Sequence, residues 1–108
     1  MNVIITDTKS NVTFDSSDIG SMDITLALVI KPMLEQFRNT TTSYPAEFHI
    51  DNDETKSFET WKLAIDKMIY SFNMISREQM VNNTKKHEVG KVREGLKLFA
   101  KHYLDLWI

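Results

Sequence analysis

The sequence predicts a compact, mainly α-helical domain of three to four helices, preceded by an extended arm or a short β-hairpin. Two apolar patterns with helical spacing, over residues 57–76 and 86–107, predict most of the fold. A third pattern over 22–38 has the same spacing but contains Pro32. Residues 1–20 contain only short β-prone runs, and they predict the arm.

The N-terminal arm covers residues 1–20. Its β-prone runs are Val3 to Ile5 and Val12 to Phe14, and the polar residues between them favour a turn. A hairpin and a loosely attached extended segment both remain open, because a lone two-stranded hairpin is marginal in water. The helical domain, 21–108, begins after Gly20.

The first predicted helix covers residues 22–38. Ser21 is its predicted N-cap, and Asp23 lies in the first turn, where a carboxylate suits the free N–H groups. Pro32 removes one backbone hydrogen bond, so we expect a kink near Leu28. The apolar residues at helical spacing predict its core face: Leu26, Ile30, Met33 and Phe37.

The second and third helices carry broader apolar stripes. The stripe of 57–76 consists of Phe58, Trp61, Ile65, Met68, Ile69, Phe72 and Ile75. The seam of 86–107 alternates spacings of three and four, which is typical of a helix packing lengthwise on others: Val89, Val92, Leu96, Phe99, Tyr103 and Leu106. Gly95 lies at the edge of this seam. Because glycine costs about 1 kcal/mol inside a helix, we expect a neighbouring helix to approach closely there.

The sequence lacks the residues that most catalytic and cofactor-binding sites require. There is no cysteine, which excludes disulfides, thiolate metal sites and cysteine nucleophiles. The three glycines are isolated and cannot form a phosphate-binding loop, and no serine-nucleophile motif is present. We therefore predict a protein that is not an enzyme and that needs no cofactor or metal.

Three weaker signals for polar chemistry have simpler explanations. Asp51-x-Asp53 resembles the start of a calcium loop, but Lys56 and Lys62 stand where the loop needs glycine and glutamate. A carboxylate pair such as Asp23 with Asp66 is explained more simply by helix caps or surface charges. The three histidines have no metal-ligand spacing to another histidine, so structural roles are favoured: His49, His87 and His102.

Charge is distributed unevenly around a net value of −2. Residues 1–54 hold 3 basic and 9 acidic side chains, whereas 55–108 hold 10 basic and 6 acidic. This asymmetry is too mild for a dedicated nucleic-acid binder or for a DNA mimic, so nucleic acid is not an expected partner. The longest apolar run is too short to span a membrane, so no membrane partner is expected.

Basic residues line one flank of the third helix: Lys86, Arg93, Lys97 and Lys101. Such a stripe could bind a phosphate group or an acidic protein. The spacing of Glu94 to Lys97 and of Lys101 to Asp105 predicts that part of this charge is paired within the helix. A solvated helix face is the favoured interpretation.

The chain contains eleven aromatic residues, and this is the feature that most favours a binding function. Most should be core, but Tyr70 or Trp107 would become an interface anchor if exposed, because Trp and Tyr dominate binding hot spots. The candidate interface residues are Tyr70, Arg93, Lys97, Lys101, Tyr103, Trp107 and Ile108. We expect a homodimer formed through the third helix and the apolar chain end.

Three stretches of the sequence carry a family resemblance. They are Met22 to Ala27 followed by Pro32, Trp61 with the segment Ile65 to Ile69 and Phe72, and Glu94 to Tyr103 ending in Leu106-Trp107. Over residues 21–108 the chain resembles a group of small accessory proteins of large tailed bacteriophages, marine and T4-like ones among them. The resemblance implies a protein of the infected bacterium's cytoplasm that binds a host protein. Host defence systems are frequent targets of such proteins, a BREX-type phage-exclusion system among them.

The leading hypothesis is thus a phage counter-defence protein that inhibits a host defence component by protein–protein contact. One alternative is an oligomeric sponge for a nucleotide signal, which predicts a pocket lined by Arg93, Lys97 or Lys101 beside an aromatic residue. Another is a host-takeover factor that binds polymerase or nucleic acid through a continuous basic face.

Overall fold

The computed structural model describes residues 1–6, 9–77 and 86–107. It confirms the predicted fold class, a mainly α-helical chain with a short N-terminal β-hairpin. The regular elements are β1 Asn2–Thr6, β2 Lys9–Thr13, α1 Ser16–Gly20, α2 Met22–Thr40, α3 Glu54–Ser76 and α4 Lys86–His102, with 3-10 turns at Ala46–Phe48 and Tyr103–Asp105. None of the described helices is long and apolar enough to cross a membrane.

The arm forms a hairpin. β1 and β2 pair antiparallel, with Val3 opposite Val12 and Asn2 opposite Thr13. The side chains of Val3, Ile4 and Val12 are exposed, so the strands bury little apolar surface. The terminal ammonium lies 3.6 Å from the Asp18 carboxylate, which ties the hairpin to α1.

Helix α1 was not predicted from the sequence. Its capping box is made by two aspartates: the Asp18 N–H donates to Asp15 at 3.1 Å, and the Asp15 N–H donates to Asp18 at 3.0 Å. The Ser17 hydroxyl and the Asp18 N–H donate to the Asp15 carboxylate and lower its pKa. Ser21 separates α1 from α2 but, contrary to expectation, its side chain makes no capping hydrogen bond.

The face of α2 that packs on α3 differs from the predicted one. Ala27 and Leu34 are buried in the core, whereas Leu26 and Met33 of the predicted stripe are exposed. Each lies one position, or about 100° of helix rotation, from its buried neighbour. The helix runs through the exposed Pro32 to Thr40. The sequence thus located the helix but assigned part of its exposed face to the core.

Helix α3 is the central element and packs against both α2 and α4. It begins three residues before the predicted helix, because the Asp53 carboxylate accepts the Lys56 N–H at 3.0 Å and caps it. Trp61, Ile65 and Met68 are almost completely buried, and the predicted stripe of this helix is confirmed.

The crossing of α3 and α4 explains Gly95. A Cβ built on Gly95 would lie 2.9 Å from the Cβ of Ser71 and would overlap both the Ser71 hydroxyl and the Lys67 carbonyl oxygen. The Ser71 hydroxyl donates to the Val92 carbonyl at 2.7 Å, so it is satisfied although buried. The close approach predicted at this glycine is confirmed.

Helix α4 ends at His102 instead of continuing to residue 107. A 3-10 turn follows, in which the Leu106 N–H donates to the Tyr103 carbonyl at 3.3 Å. The His102 ring lies 3.1 Å from the Asp105 carboxylate, a contact that holds the turn against the helix end. Trp107, two residues beyond this turn, is exposed.

Candidate functional site

The seven sequence-predicted interface residues do not form one patch. Arg93, Lys97 and Lys101 are exposed on α4, and Tyr103 and Trp107 are exposed where the described chain ends. Tyr70 is only half-buried and lies on α3. Tyr70, Tyr103 and Trp107 each line a different cavity. Ile108 lies outside the described residues.

An apolar groove of about 520 Å³ separates α2 from α4 and exceeds in volume the cavities beside Tyr70 and Trp107. Its lining residues are all apolar or aromatic: Ile30, Met33, Leu34, Phe37, Phe99, Tyr103 and Leu106. Met33 is 63% exposed and Tyr103 is 61% exposed, one on each wall. The ring of Phe99 packs edge-on against Phe72 of α3 at 4.9 Å, which fixes the α4 wall. A groove of this kind is suited to apolar contact and not to polar chemistry.

The chain end that follows α4 carries a cluster of exposed large side chains. Tyr103, Leu104 and Trp107, which we call the C-terminal cluster, are 61%, 85% and 69% exposed. The Trp107 N–H donates to the Asp105 carbonyl at 3.0 Å, and its side chain lines a small cavity of about 50 Å³ beside Tyr44. Tyr and Trp are among the side chains that most commonly anchor protein interfaces.

The cavity beside Tyr70 is polar at its edges. It measures about 330 Å³ and is bordered by Leu63, Asp66, Lys67, Lys91 and Glu94. The Lys67 ammonium donates to the Glu94 carboxylate at 2.9 Å, and Asp66 accepts two hydrogen bonds from the guanidinium of Arg38. Its charges are therefore largely balanced within the protein.

The basic flank of α4 is exposed, but its predicted internal pairings are not formed. Glu94 pairs with Lys67 of α3 and not with Lys97. Lys101 pairs with Glu47 at 3.1 Å and not with Asp105. The pairs Lys67–Glu94 and Lys101–Glu47 instead connect α4 to α3 and to the 3-10 turn at Ala46–Phe48. Arg93 and Lys97 are exposed to solvent. The side chain of Lys86 lies outside the described residues.

A cluster that the sequence did not predict surrounds His102. The ring of His102 is buried, and its Nδ1 lies 3.1 Å from Asp105 Oδ2 and 3.5 Å from Glu47 Oε1. Its Nε2 has no hydrogen-bond partner, and the ring packs against Trp61 and Phe48 at 5.3 Å each. The spacing of three positions between His102 and Asp105 could have indicated their contact. Glu47 lies in a distant turn, so its approach to His102 could not be read from local spacing.

The His102 cluster could offer three ligand atoms to a cation, since these atoms lie within 4.8 Å of one another. The Lys101 ammonium already balances Glu47, however, and Asp105 already binds the imidazole. The contacts link the 3-10 turn at Ala46–Phe48 to the end of α4. The cluster therefore acts as a polar connection between these two segments.

The residues of the calcium-like segment also have structural roles, whereas the side chain of His87 lies outside the described residues. Asp53 caps α3, and Asp51 lies 3.2 Å from the ring of His49. Asn52 between them adopts a left-handed backbone, with φ of 62°, which asparagine tolerates better than most residues. The loop thus serves as a turn into α3.

Comparison with known proteins adds no relative. No family model, characterised protein or solved structure matches this chain.

Proposed function

We propose that this chain is a non-enzymatic binding protein that inhibits a host defence component by occupying part of its surface. The observation that supports this most is the C-terminal cluster, where Tyr103, Leu104 and Trp107 expose most of their side chains. Large apolar side chains exposed on one short segment are candidates for an interaction site.

The polar groups of the described residues support binding over catalysis. Several polar side chains contact partners on other segments: Arg38 with Asp66, Lys67 with Glu94, and His102 with Glu47 and Asp105. Each pair links two parts of the fold. These groups thus have partners within the fold. Tyr103 also has one, since its ring packs edge-on against Phe99 at 5.6 Å, whereas Leu104 and Trp107 expose most of their side chains.

The proposed host and target come from the resemblance to phage accessory proteins. A phage accessory protein acts in the cytoplasm of the infected bacterium, and a restriction or phage-exclusion component, such as one of a BREX-type system, is the proposed partner. Arg93 and Lys97 on the exposed flank of α4 would orient the encounter toward an acidic surface.

The two alternatives have weaker support. A nucleotide sponge needs a pocket lined by Arg93, Lys97 or Lys101, but these residues line neither the groove nor the cavities beside Tyr70 and Trp107. A nucleic-acid binder needs a continuous basic face, but Lys101 is paired with Glu47.

The proposal predicts that expressing this chain restores phage plating on a host that carries the targeted defence system. Trp107→Ala should weaken the restoration at least about 10-fold, because truncating an interface tryptophan commonly costs 2 kcal/mol or more. Leu63→Ala is the matched control, since Leu63 is 61% exposed but lies on α3 away from the cluster. Plating efficiencies measured with wild type, both variants and empty vector test this directly. Failure of the wild-type chain to restore plating on hosts with BREX-type and other restriction systems would contradict the proposal.

A further inference from the structure

The His102 cluster brings together three side chains of the kinds that bind zinc. The Nδ1 atom of His102 lies 3.1 Å from Asp105 Oδ2 and 3.5 Å from Glu47 Oε1. One donor atom of each residue lies within 4.8 Å of the other two. Zinc–ligand bonds at a tetrahedral angle place neighbouring ligand atoms about 3.3–3.6 Å apart. Both distances from Nδ1 are therefore close to the edge of a zinc tetrahedron.

We propose that Glu47, His102 and Asp105 form a zinc-binding site, with water as the fourth ligand. The inference goes beyond the proposed function, because occupying a partner's surface requires no metal. It also departs from the sequence, which predicts a chain that needs no metal. The side chains of Glu47 and Asp105 are 47% and 40% exposed, so the ion and its water can reach the cluster from solvent.

The hydrogen bonding of the cluster favours a cation between its three ligand atoms. Carboxylate oxygens only accept hydrogen bonds, and a single proton on Nδ1 can point at only one of the two oxygens near it. A metal ion replaces this proton, which is released to solvent, and binds all three atoms. The Lys101 ammonium lies 3.1 Å from Oε2 of Glu47, so the other oxygen, Oε1, remains free to bind the metal.

The apolar surroundings of His102 support a ligand role for its ring. The side chain is 1% exposed, and its ring lies 5.3 Å from the rings of both Trp61 and Phe48. Its Nε2 has no hydrogen-bond partner among the described residues. A buried nitrogen without a partner is uncommon in a purely structural side chain. As a metal ligand the ring would gain from this burial, because an apolar shell limits the access of water to the ion.

The donor set of the cluster selects zinc over the hard divalent cations. Calcium and magnesium require six or more ligands, nearly all of them oxygen. Zinc binds an imidazole together with carboxylates and needs only four ligands. The two carboxylates also neutralise the double charge of the ion when the imidazole is neutral.

Zinc titration of the untagged full chain, in competition with a chromogenic chelator, tests the site. We expect one zinc ion per chain, with a dissociation constant of about 10 µM or below. Glu47→Gln and Asp105→Asn should each raise this constant at least about 10-fold, because even residues that only contact a metal ligand contribute about 10–100-fold. Both changes replace a partly exposed carboxylate by an amide of the same shape, so the helical circular dichroism should be unchanged.

His49→Gln is the matched control. His49 Nε2 lies 3.2 Å from Asp51, and both side chains are more than half exposed, so this pair represents an ordinary surface histidine and carboxylate. Its loss should leave the zinc dissociation constant unchanged. A second readout is the ¹⁵N resonance of the ring nitrogens, since zinc should shift Nδ1 of His102 more than either nitrogen of His49.

Three results would overturn the inference. The first is no zinc binding by wild type up to about 100 µM. The second is binding by Glu47→Gln and Asp105→Asn that equals that of wild type. The third is loss of binding in His49→Gln alone, which would show that zinc binds adventitiously at the surface pair.

Discussion

Replacing Gly95 with alanine is expected to lower the free energy of unfolding by about 2 kcal/mol, although alanine is the better helix former. The added methyl group would overlap the Ser71 hydroxyl and the Lys67 carbonyl oxygen. The hydroxyl could rotate away, but the carbonyl belongs to the backbone of α3 and cannot move without displacing the helix. Overpacking of this kind costs about 1–3 kcal/mol or more, which exceeds the gain of about 1 kcal/mol in helix propensity.

Gly90→Ala is the control for Gly95→Ala. Gly90 lies in the same helix, and a Cβ there would meet no atom within 4 Å. This substitution should therefore stabilise the chain by up to about 1 kcal/mol. Urea unfolding under identical conditions measures the free energy of unfolding of both variants. Equal shifts of the same sign in the two variants would show that α3 and α4 do not cross closely at Gly95.

Replacing Trp61 with alanine should be the most damaging single change, at about 3–5 kcal/mol. Its indole is 1% exposed and contacts rings from three other elements. The ring centroid lies 6.5 Å from Phe37 of α2, 5.2 Å from Phe48 of the 3-10 turn and 5.3 Å from His102 of α4. Because a domain of this size is stable by only about 5–15 kcal/mol, the loss is a large fraction of the total.

Leu63→Ala provides the comparison for Trp61→Ala. Leu63 lies two residues away on α3 but is 61% exposed, so its truncation should change stability by less than about 0.5 kcal/mol. Thermal unfolding followed by far-UV circular dichroism measures both variants. An unfolding midpoint of Trp61→Ala equal to that of Leu63→Ala would contradict the central position of Trp61 in the core.

The helices were predictable where the apolar stripe in the sequence matches the buried face of the helix in the structure. Trp61, Ile65 and Met68 are buried as their spacing indicates, because α3 has neighbours on two sides. Gly95 was predictable for a related reason, since a glycine at the edge of an apolar seam costs helix stability and is best explained by a close neighbouring helix. These features depend on local spacing, which the sequence contains directly.

Features that depend on distant segments were not predictable. The position of α4 determines whether Met33 is buried or exposed, and the spacing of residues within α2 does not reveal that position. Glu47 and His102 come together only because the turn at Ala46–Phe48 packs near the end of α4. Helix α1 was missed because its stability comes from the Asp15–Asp18 capping box and not from an apolar pattern.

The candidate interface was predicted in part. The sequence identified Trp107 as an anchor if it is exposed, and it is 69% exposed. Tyr70 is less accessible because it lies in the cavity bordered by Lys67 and Glu94. The end of α4 at His102 could not be deduced from the seam, since the seam's spacing continues through Leu106.

The most direct test of the binding function is quantitative co-purification from bacteria that carry the targeted defence system. Tagged wild-type chain, Trp107→Ala and Leu63→Ala would be expressed at equal levels, and the defence components recovered with each would be measured by mass spectrometry. The account predicts that wild type and Leu63→Ala recover one defence component equally, and that Trp107→Ala recovers at least about tenfold less. Equal recovery with Trp107→Ala, or no defence component above that recovered with an unrelated tagged protein, would contradict it.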